Sequence, residues 1–101
     1  MLYDSTKVLL RSMLFSLQGT ETIRWEDQAE LASECSYEVH QMARPMYRGY
    51  RTDSMNKSVI LVQVSERAAR AIPHVKLMVR AIRRQDQSGA VESGKAALAE
   101  M

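Results

Sequence analysis

Few side chains in this sequence have the chemistry of a nucleophile or a general base. The chain holds one cysteine, Cys35, and two histidines, His40 and His74, which form no recognisable motif. Catalysis by a cysteine or serine needs a base within hydrogen-bonding distance of the nucleophile. One cysteine and two distant histidines also lack the ligand spacing of a zinc site. We therefore predict a protein that is not an enzyme and that holds no metal and no cofactor.

Carboxylates supply the next candidate chemistry, since two of them can act together as general acid and general base. Four acidic residues recur at three- and four-residue steps within residues 23–43. They are Asp27, Glu30, Glu34 and Glu38. On a helix this spacing forms one stripe opposite the apolar side, which is typical of a solvated face rather than of a buried catalytic pair. We interpret the stripe as a charged contact face.

Arginine and tyrosine alternate in the segment that follows, residues 44–57. Both side chains anchor protein interfaces and stack on nucleic-acid bases. A second group of cations lies near the end of the third predicted helix, opposite its apolar side. The two groups are Arg44, Tyr47, Arg48, Tyr50 and Arg51, followed by Lys76, Arg80, Arg83 and Arg84. We predict that both groups form contact faces.

The two charge types are sorted along the chain. Residues 21–43 carry six acidic side chains and one arginine, whereas residues 44–84 carry ten basic and two acidic side chains. The overall net charge is only +2, because the two blocks nearly cancel. Such sorting indicates a protein that recognises a charged partner or its own copy.

The apolar spacing that positions these groups predicts an all-α fold, a small bundle with three main helices. They are predicted at residues 4–18, 23–43 and 58–85, with a kink at Pro73 in the third. Residues 86–101 begin as a polar, glycine-containing stretch and end in KAALAE, which predicts a short C-terminal helix or a flexible tail. At 101 residues the chain is predicted to be a single helical domain.

Turn and cap residues define the predicted helix ends. Gly19 can end the first helix in a left-handed turn. The hydroxyl of Thr22 is predicted to cap the second helix. Pro45 disfavours helical geometry at the residue before it, so the second helix is predicted to end there.

The apolar faces of the first and third helices form the predicted interface with a partner or a second copy. Their residues recur with the spacing that lets helices pack against each other. Val8 and Phe15 widen the face of the first helix, which indicates neighbours on more than one side. The interface residues are Leu10, Met13, Leu14, Leu17, Leu61, Val64, Val75, Met78, Val79 and Ile82.

The β-branched stretch VILVQV at residues 59–64 allows a second interpretation, an α+β fold with a short strand there. Residues 59–85, about a quarter of the chain, then resemble a ribbon-helix-helix unit, in which strands from two protomers pair and enter the major groove of DNA. The resemblance implies that alternate strand residues contact bases. They would be either Ile60, Val62 and Val64 or Leu61 and Gln63.

Three features of the composition predict a soluble, cytoplasmic protein. A single cysteine fits a reducing compartment. Asp4, Lys7 and Arg11 interrupt the apolar stretch at the N-terminus, which is unlike a secretory signal. No apolar run approaches the roughly 20 residues that span a bilayer, so no membrane contact is predicted.

These observations predict a small regulatory protein that binds another protein, as an adaptor of the inhibitor or antiactivator type, and that forms a homodimer. Apolar helix faces would supply affinity, and charged faces would steer and orient the partner. The alternative is a nucleic-acid-binding, ribbon-helix-helix-like transcriptional regulator that acts through the basic residues 44–84. The acidic stripe favours protein binding, because it would repel a phosphate backbone.

Overall fold

The protein is all-α in the part of the chain that its structure, a computed structural model, describes. That part comprises the backbone of residues 2–44 and 55–101 and the side chains of residues 2–44 and 62–101. Four helices account for nearly all of it. They are α1 (Leu2–Gln18), α2 (Trp25–Ala43), α3 (Met55–Arg83) and α4 (Gln87–Glu100).

The alternative with a strand at residues 59–64 is wrong, since these residues lie within α3. The described residues contain no strand with which such a segment could pair. In the helix each backbone N–H bonds to a carbonyl of the same segment, so no partner strand is needed. The strand that carried the resemblance to ribbon-helix-helix proteins is therefore absent.

The fourth helix corrects the predicted count of three main helices and a short one. It begins at Gln87 rather than near Lys95 and has 14 residues. Its buried side consists of small residues, Ala90, Gly94 and Ala97, and Met101 is buried just beyond its end. A single domain over residues 1–101, with a tail that can be flexible from residue 86, stays a prediction.

Neighbouring helices run antiparallel around a closed ring. α1 contacts α2 and α4, and α3 contacts the same two helices. A polar contact joins each adjacent pair, and those of α1 with α2 and of α1 with α4 lie near opposite ends of the two helices. These contacts are Thr6–Glu38, Ser65–Ala43, Arg70–Glu100 and Gln87–Leu17. The result is an elongated four-helix bundle of 51 × 19 × 19 Å.

Two helices end against a side chain from a later helix. The Ser65 hydroxyl of α3 donates to the carbonyl of Ala43 at 3.1 Å, and the Gln87 amide of α4 donates to the carbonyl of Leu17 at 2.6 Å. The last four carbonyls of a helix have no partner within it. The tertiary arrangement therefore satisfies one further carbonyl at each of these helix ends, besides the local bonds from Arg44 N–H and Gly19 N–H.

The connection between α3 and α4 is closed by its own backbone. The Gln85 N–H donates to the carbonyl of Ile82 at 3.0 Å, and the Asp86 N–H donates to that of Ala81 at 2.8 Å. With Gln85 at φ 57°, this is a Schellman motif. Asp86 also caps α4, since its carboxylate accepts from the Gly89 N–H at 3.0 Å. One residue therefore ends α3 and starts α4.

Pro73 lies inside α3 and is exposed, as its position opposite the apolar side predicts. A proline cannot donate to the carbonyl four residues earlier. That carbonyl belongs to Ala69, another exposed residue, so water can replace the missing donor. The predicted kink at this proline stays a prediction.

Candidate binding surfaces and the cleft at the α1–α2 turn

Most of the predicted partner interface is the core of the single chain. Seven of its ten residues are buried, namely Leu10, Met13, Leu14, Leu17, Val75, Met78 and Ile82. Val64 and Val79 are partly buried against the same core, and Leu61 lies outside the residues whose side chains are described. A partner that docks on the folded bundle cannot reach the buried seven, so the interface prediction is wrong for them.

Helix α4 explains this correction. α1 and α3 each contact both α2 and α4, so without a full fourth helix part of their apolar sides has no cover and would need one from another molecule. A Cβ placed on Gly94 would lie 2.8 Å from Leu14 Cδ2 and 3.2 Å from Met78 Sδ. Glycine at this position therefore lets α4 pack close to both helices and cover their apolar sides.

The acidic stripe of α2 is exposed over three of its four members. Asp27, Glu30 and Glu34 are exposed, whereas Glu38 is partly buried. The Glu38 carboxylate accepts a hydrogen bond at 2.8 Å from the buried hydroxyl of Thr6 on α1. Glu38 thus belongs to the α1–α2 contact, and the remaining three residues form the available acidic face.

The cationic cluster of α3 is exposed as predicted. Its members are Lys76, Arg80, Arg83 and Arg84, and within the described residues none of them makes an ion pair. Leu77, with 50% of its surface exposed, lies among them. Arg44 is exposed at the end of α2. The predicted contacts Tyr47, Arg48, Tyr50 and Arg51 lie outside the described residues.

The outer side of α1 carries an exposed apolar pair. Phe15 exposes 82% of its surface and Val8 61%. The two are seven residues apart, close to two helical turns, so they lie one above the other on the side opposite the buried residues. The widened apolar face predicted for the first helix therefore splits into a buried stripe and this exposed pair.

Phe15 also lines a cleft at the turn that joins α1 to α2. The cleft has a volume of about 500 Å³ and is formed by the end of α1, residues 19–24 and the first two turns of α2. Its apolar lining includes Ile23 and Leu31, and Gln28 lines it as well. Binding sites for small ligands usually combine an apolar lining with a few polar groups in this way.

The first turn of α2 lacks the cap that the sequence predicts. The N-cap residue is Arg24 rather than Thr22, and its side chain accepts no hydrogen bond from the helix. The first helical bond runs from the Gln28 N–H to the Arg24 carbonyl at 3.0 Å. Gln28 itself exposes only 5% of its surface, and its Oε1 atom has no hydrogen-bond partner among the described residues. This turn therefore has neither a side-chain cap nor a described partner for that oxygen.

Cys35 lies in the core and is unsuited to nucleophilic chemistry. Burial, together with the negative charges of Glu38 and Glu34, raises the pKa of its thiol to about 12. The thiolate is the reactive form of cysteine, and at neutral pH almost none is present. The sign of this shift means that stability falls as pH rises above about 9, because the thiol of the unfolded chain then ionises first.

The two histidines lie on different helices, His40 on α2 and His74 on α3. The Nδ1 atom of His40 lies 2.7 Å from the carbonyl of Ser36, one helical turn earlier, so this nitrogen donates. No group of three or more potential metal ligands occurs within residues 2–44 and 62–101. Among the helices described, none has the length and apolar character that crossing a membrane requires.

Comparison with protein-family models, with curated proteins and with solved structures finds no match to this chain.

Sequence reasoning missed the cleft and the exposed pair. The seven-residue spacing of Val8 and Phe15, opposite the stripe from Leu10 to Leu17, was the available signal for the pair. Gln28 had a weaker signal, its place among the apolar residues on the inner side of α2. The missing partner of its Oε1 atom depends on tertiary packing, so the sequence held no signal for it.

Proposed function

We propose that this chain is a non-enzymatic, cytoplasmic regulatory protein that binds another protein, as an adaptor of the inhibitor or antiactivator type. The partner contacts the outside of the bundle rather than the apolar seams between its helices. The observation that carries the proposal is Phe15, an aromatic side chain that is 82% exposed at a cleft and on the same side of α1 as Val8. Exposed aromatic anchors of this kind supply much of the affinity at protein interfaces.

The charged faces support the same function. The acidic face on α2 and the cationic cluster on α3 are exposed, so both are available to a partner. Charged groups at the edge of an interface chiefly accelerate encounter and fix orientation. The apolar pair on α1 would supply the affinity, and the charged faces would select a partner with complementary charges.

Substitution of the exposed aromatic residue tests this proposal. Phe15→Ser is expected to keep the fold, since changes at exposed positions usually alter stability by no more than about 0.5 kcal/mol. A tagged Phe15→Ser chain should then lose a protein that the unaltered chain captures from its native host. Leu2→Ser, at an exposed apolar position at the other end of α1, is the control that should retain it. Retention by both variants would contradict the proposed surface.

A homodimer is part of the proposal, because a two-fold axis lets one patch contact its own copy. Light scattering of the purified chain separates this from binding of a different protein. A mass of two chains that falls to one in Phe15→Ser would support the homodimer. A mass of one chain, with loss of the captured protein in the variant, would support a separate partner.

Nucleic-acid binding is the second candidate, and the cationic cluster of α3 is the observation that favours it. Its four cations are exposed and form no ion pair with described residues. Affinity should then fall steeply with added salt, since bound cations release counterions from the phosphate backbone. The double variant Arg80→Ala and Arg83→Ala should bind more weakly. A gel shift without retention at low salt would exclude this candidate.

A further inference from the structure

The cleft at the α1–α2 turn is built from both apolar and polar groups. Phe15, Ile23 and Leu31 give it apolar walls, and its volume of about 500 Å³ lies within the range of small-molecule sites. The ring of Phe15 is open to stacking, because most of its surface is exposed. A flat apolar group would therefore fit the lining of this cleft.

Gln28 adds a specific polar requirement to that apolar lining. It lines the cleft, is 95% buried and has an Oε1 atom with no hydrogen-bond partner in the part of the chain that the structure describes. A buried carbonyl oxygen without a donor is unfavourable, so native proteins rarely leave one unpaired. A ligand that brings an N–H or O–H group to this oxygen would remove the penalty.

The charges around the cleft determine which ligand charge it favours. Glu21 and Asp27 line it, and among the described residues the one lining cation is Arg24. The Arg24 guanidinium already pairs with Asp27 at 3.2 Å. The carboxylate of Glu21 is then left to repel an anion, so a neutral or cationic ligand is favoured.

We propose that this cleft binds a flat, uncharged or cationic aromatic group that donates one hydrogen bond to Gln28 Oε1, with indole as the simplest example. The aromatic ring lies between Phe15 and the side chains of Ile23 and Leu31, and the donor points to the buried amide. The group can belong to a free small molecule or to a tryptophan side chain of a docked protein. The chemistry is the same in both cases.

Three aromatic probes of similar shape test the role of the ligand's hydrogen-bond donor. Indole carries an N–H, 1-methylindole replaces it with a methyl group, and benzofuran replaces it with an oxygen that only accepts. In titrations of the ¹⁵N-labelled chain, indole should shift amide signals of residues 19–31 in a saturable way. The other two probes should bind about fivefold to tenfold more weakly, as expected for one lost hydrogen bond.

The variant Gln28→Met tests the cleft independently of the rest of the protein. Methionine has a similar length and no comparable acceptor, so the variant should fold and should bind indole and 1-methylindole equally. Gln18→Met, at an exposed position outside this cleft, is the control that should keep the preference for indole. Loss of the captured protein in Phe15→Ser tests the proposed function, and loss of the preference for indole in Gln28→Met tests the cleft, so failure of one is distinguishable from failure of the other.

A fourth probe tests whether the aromatic group can come from a protein. It is N-acetyltryptophan amide, which carries the indole on a peptide-like backbone. Binding that depends on Gln28 would show that the cleft admits a tryptophan side chain. Binding of indole alone would show that it admits only a free small molecule. The proposal is overturned if millimolar indole shifts no signal of residues 19–31, or if 1-methylindole or benzofuran binds as well as indole.

Discussion

The structure describes two turns between consecutive helices. They differ in how their polar groups are hydrogen-bonded. At the α3–α4 turn, Gln85 and Asp86 donate to the last carbonyls of α3, and the Asp86 carboxylate accepts from the first turn of α4. At the α1–α2 turn, Arg24 occupies the N-cap position without a side-chain hydrogen bond, and Gln28 Oε1 is buried without a partner. We call the α3–α4 turn closed, because these polar groups are paired, and the α1–α2 turn open.

This difference separates a structural turn from a candidate binding turn. The closed turn holds α4 in position over the apolar sides of α1 and α3, where Gly94 approaches Leu14 and Met78. The open turn leaves a cleft of about 500 Å³ and an unpaired oxygen. Groups that the chain does not satisfy itself are the ones that a ligand can satisfy, so our proposal places binding at the open turn.

Gly94→Val should give the largest effect, because it disturbs the packing that the closed turn supports. The added methyl groups would collide with Leu14 and Met78, and overpacking of this kind costs about 1–3 kcal/mol. Chemical denaturation should show a lower midpoint. Ala99→Val, exposed on the same helix, is the control, and an equal loss in both variants would contradict the close approach.

Removal of one side chain at each turn, an aspartate at the closed turn and a threonine at the open turn, compares the two turns directly. Asp86→Ala removes the cap of α4 and should cost about 1 kcal/mol. Thr22→Ala removes a hydroxyl that does not cap α2 and should change stability by less than about 0.5 kcal/mol. Thermal unfolding followed by circular dichroism measures both. A larger loss at Thr22 than at Asp86 would reverse the comparison.

Arg24→Ser should partly close the open turn. A serine at the N-cap can accept from the first turn of α2, and a gain of about 0.5–1 kcal/mol is expected. The lost pair with Asp27 is exposed on both sides and contributes little. Arg24→Ala, which removes the same pair without adding an acceptor, is the control in urea unfolding. No difference between the two variants would mean that the turn is already satisfied.

Gln85→Gly should give the smallest effect, a gain of a few tenths of a kcal/mol. Gln85 adopts φ 57°, a left-handed conformation that glycine tolerates and other residues resist. The greater freedom of glycine in the unfolded chain offsets part of the gain. Gln85→Ala keeps the Cβ atom and should be neutral in the same unfolding measurement. A loss in the glycine variant alone would show that the turn needs the Cβ atom.

Local patterns predicted much of the helical structure. The spacing of Leu10, Met13, Leu14 and Leu17 indicates a helix with one buried side, and the structure has that helix. The exposed carboxylates of α2 and cations of α3 also follow from helical spacing. These predictions succeed because a helix places side chains three and four residues apart on one side, whatever surrounds it.

The fourth helix was harder to predict from its composition. Gly89 and Gly94 are poor helix formers, and Asp86 looked like part of a polar linker rather than a cap. The usable signal was the four-, three- and four-residue spacing of Ala90, Gly94, Ala97 and Met101. Small residues carry little apolar weight, so the spacing is visible only when close packing between helices is considered.

The sequence by itself determined which residues lie on the same side of each helix and where the charges of opposite sign accumulate. Both properties depend on the helical repeat, which is local. Only the tertiary structure decided what covers each side, because contact between distant segments depends on all four helices together. It assigned Leu10 and Val75 to the core, left Phe15 exposed and buried the Oε1 atom of Gln28 without a partner among the described residues.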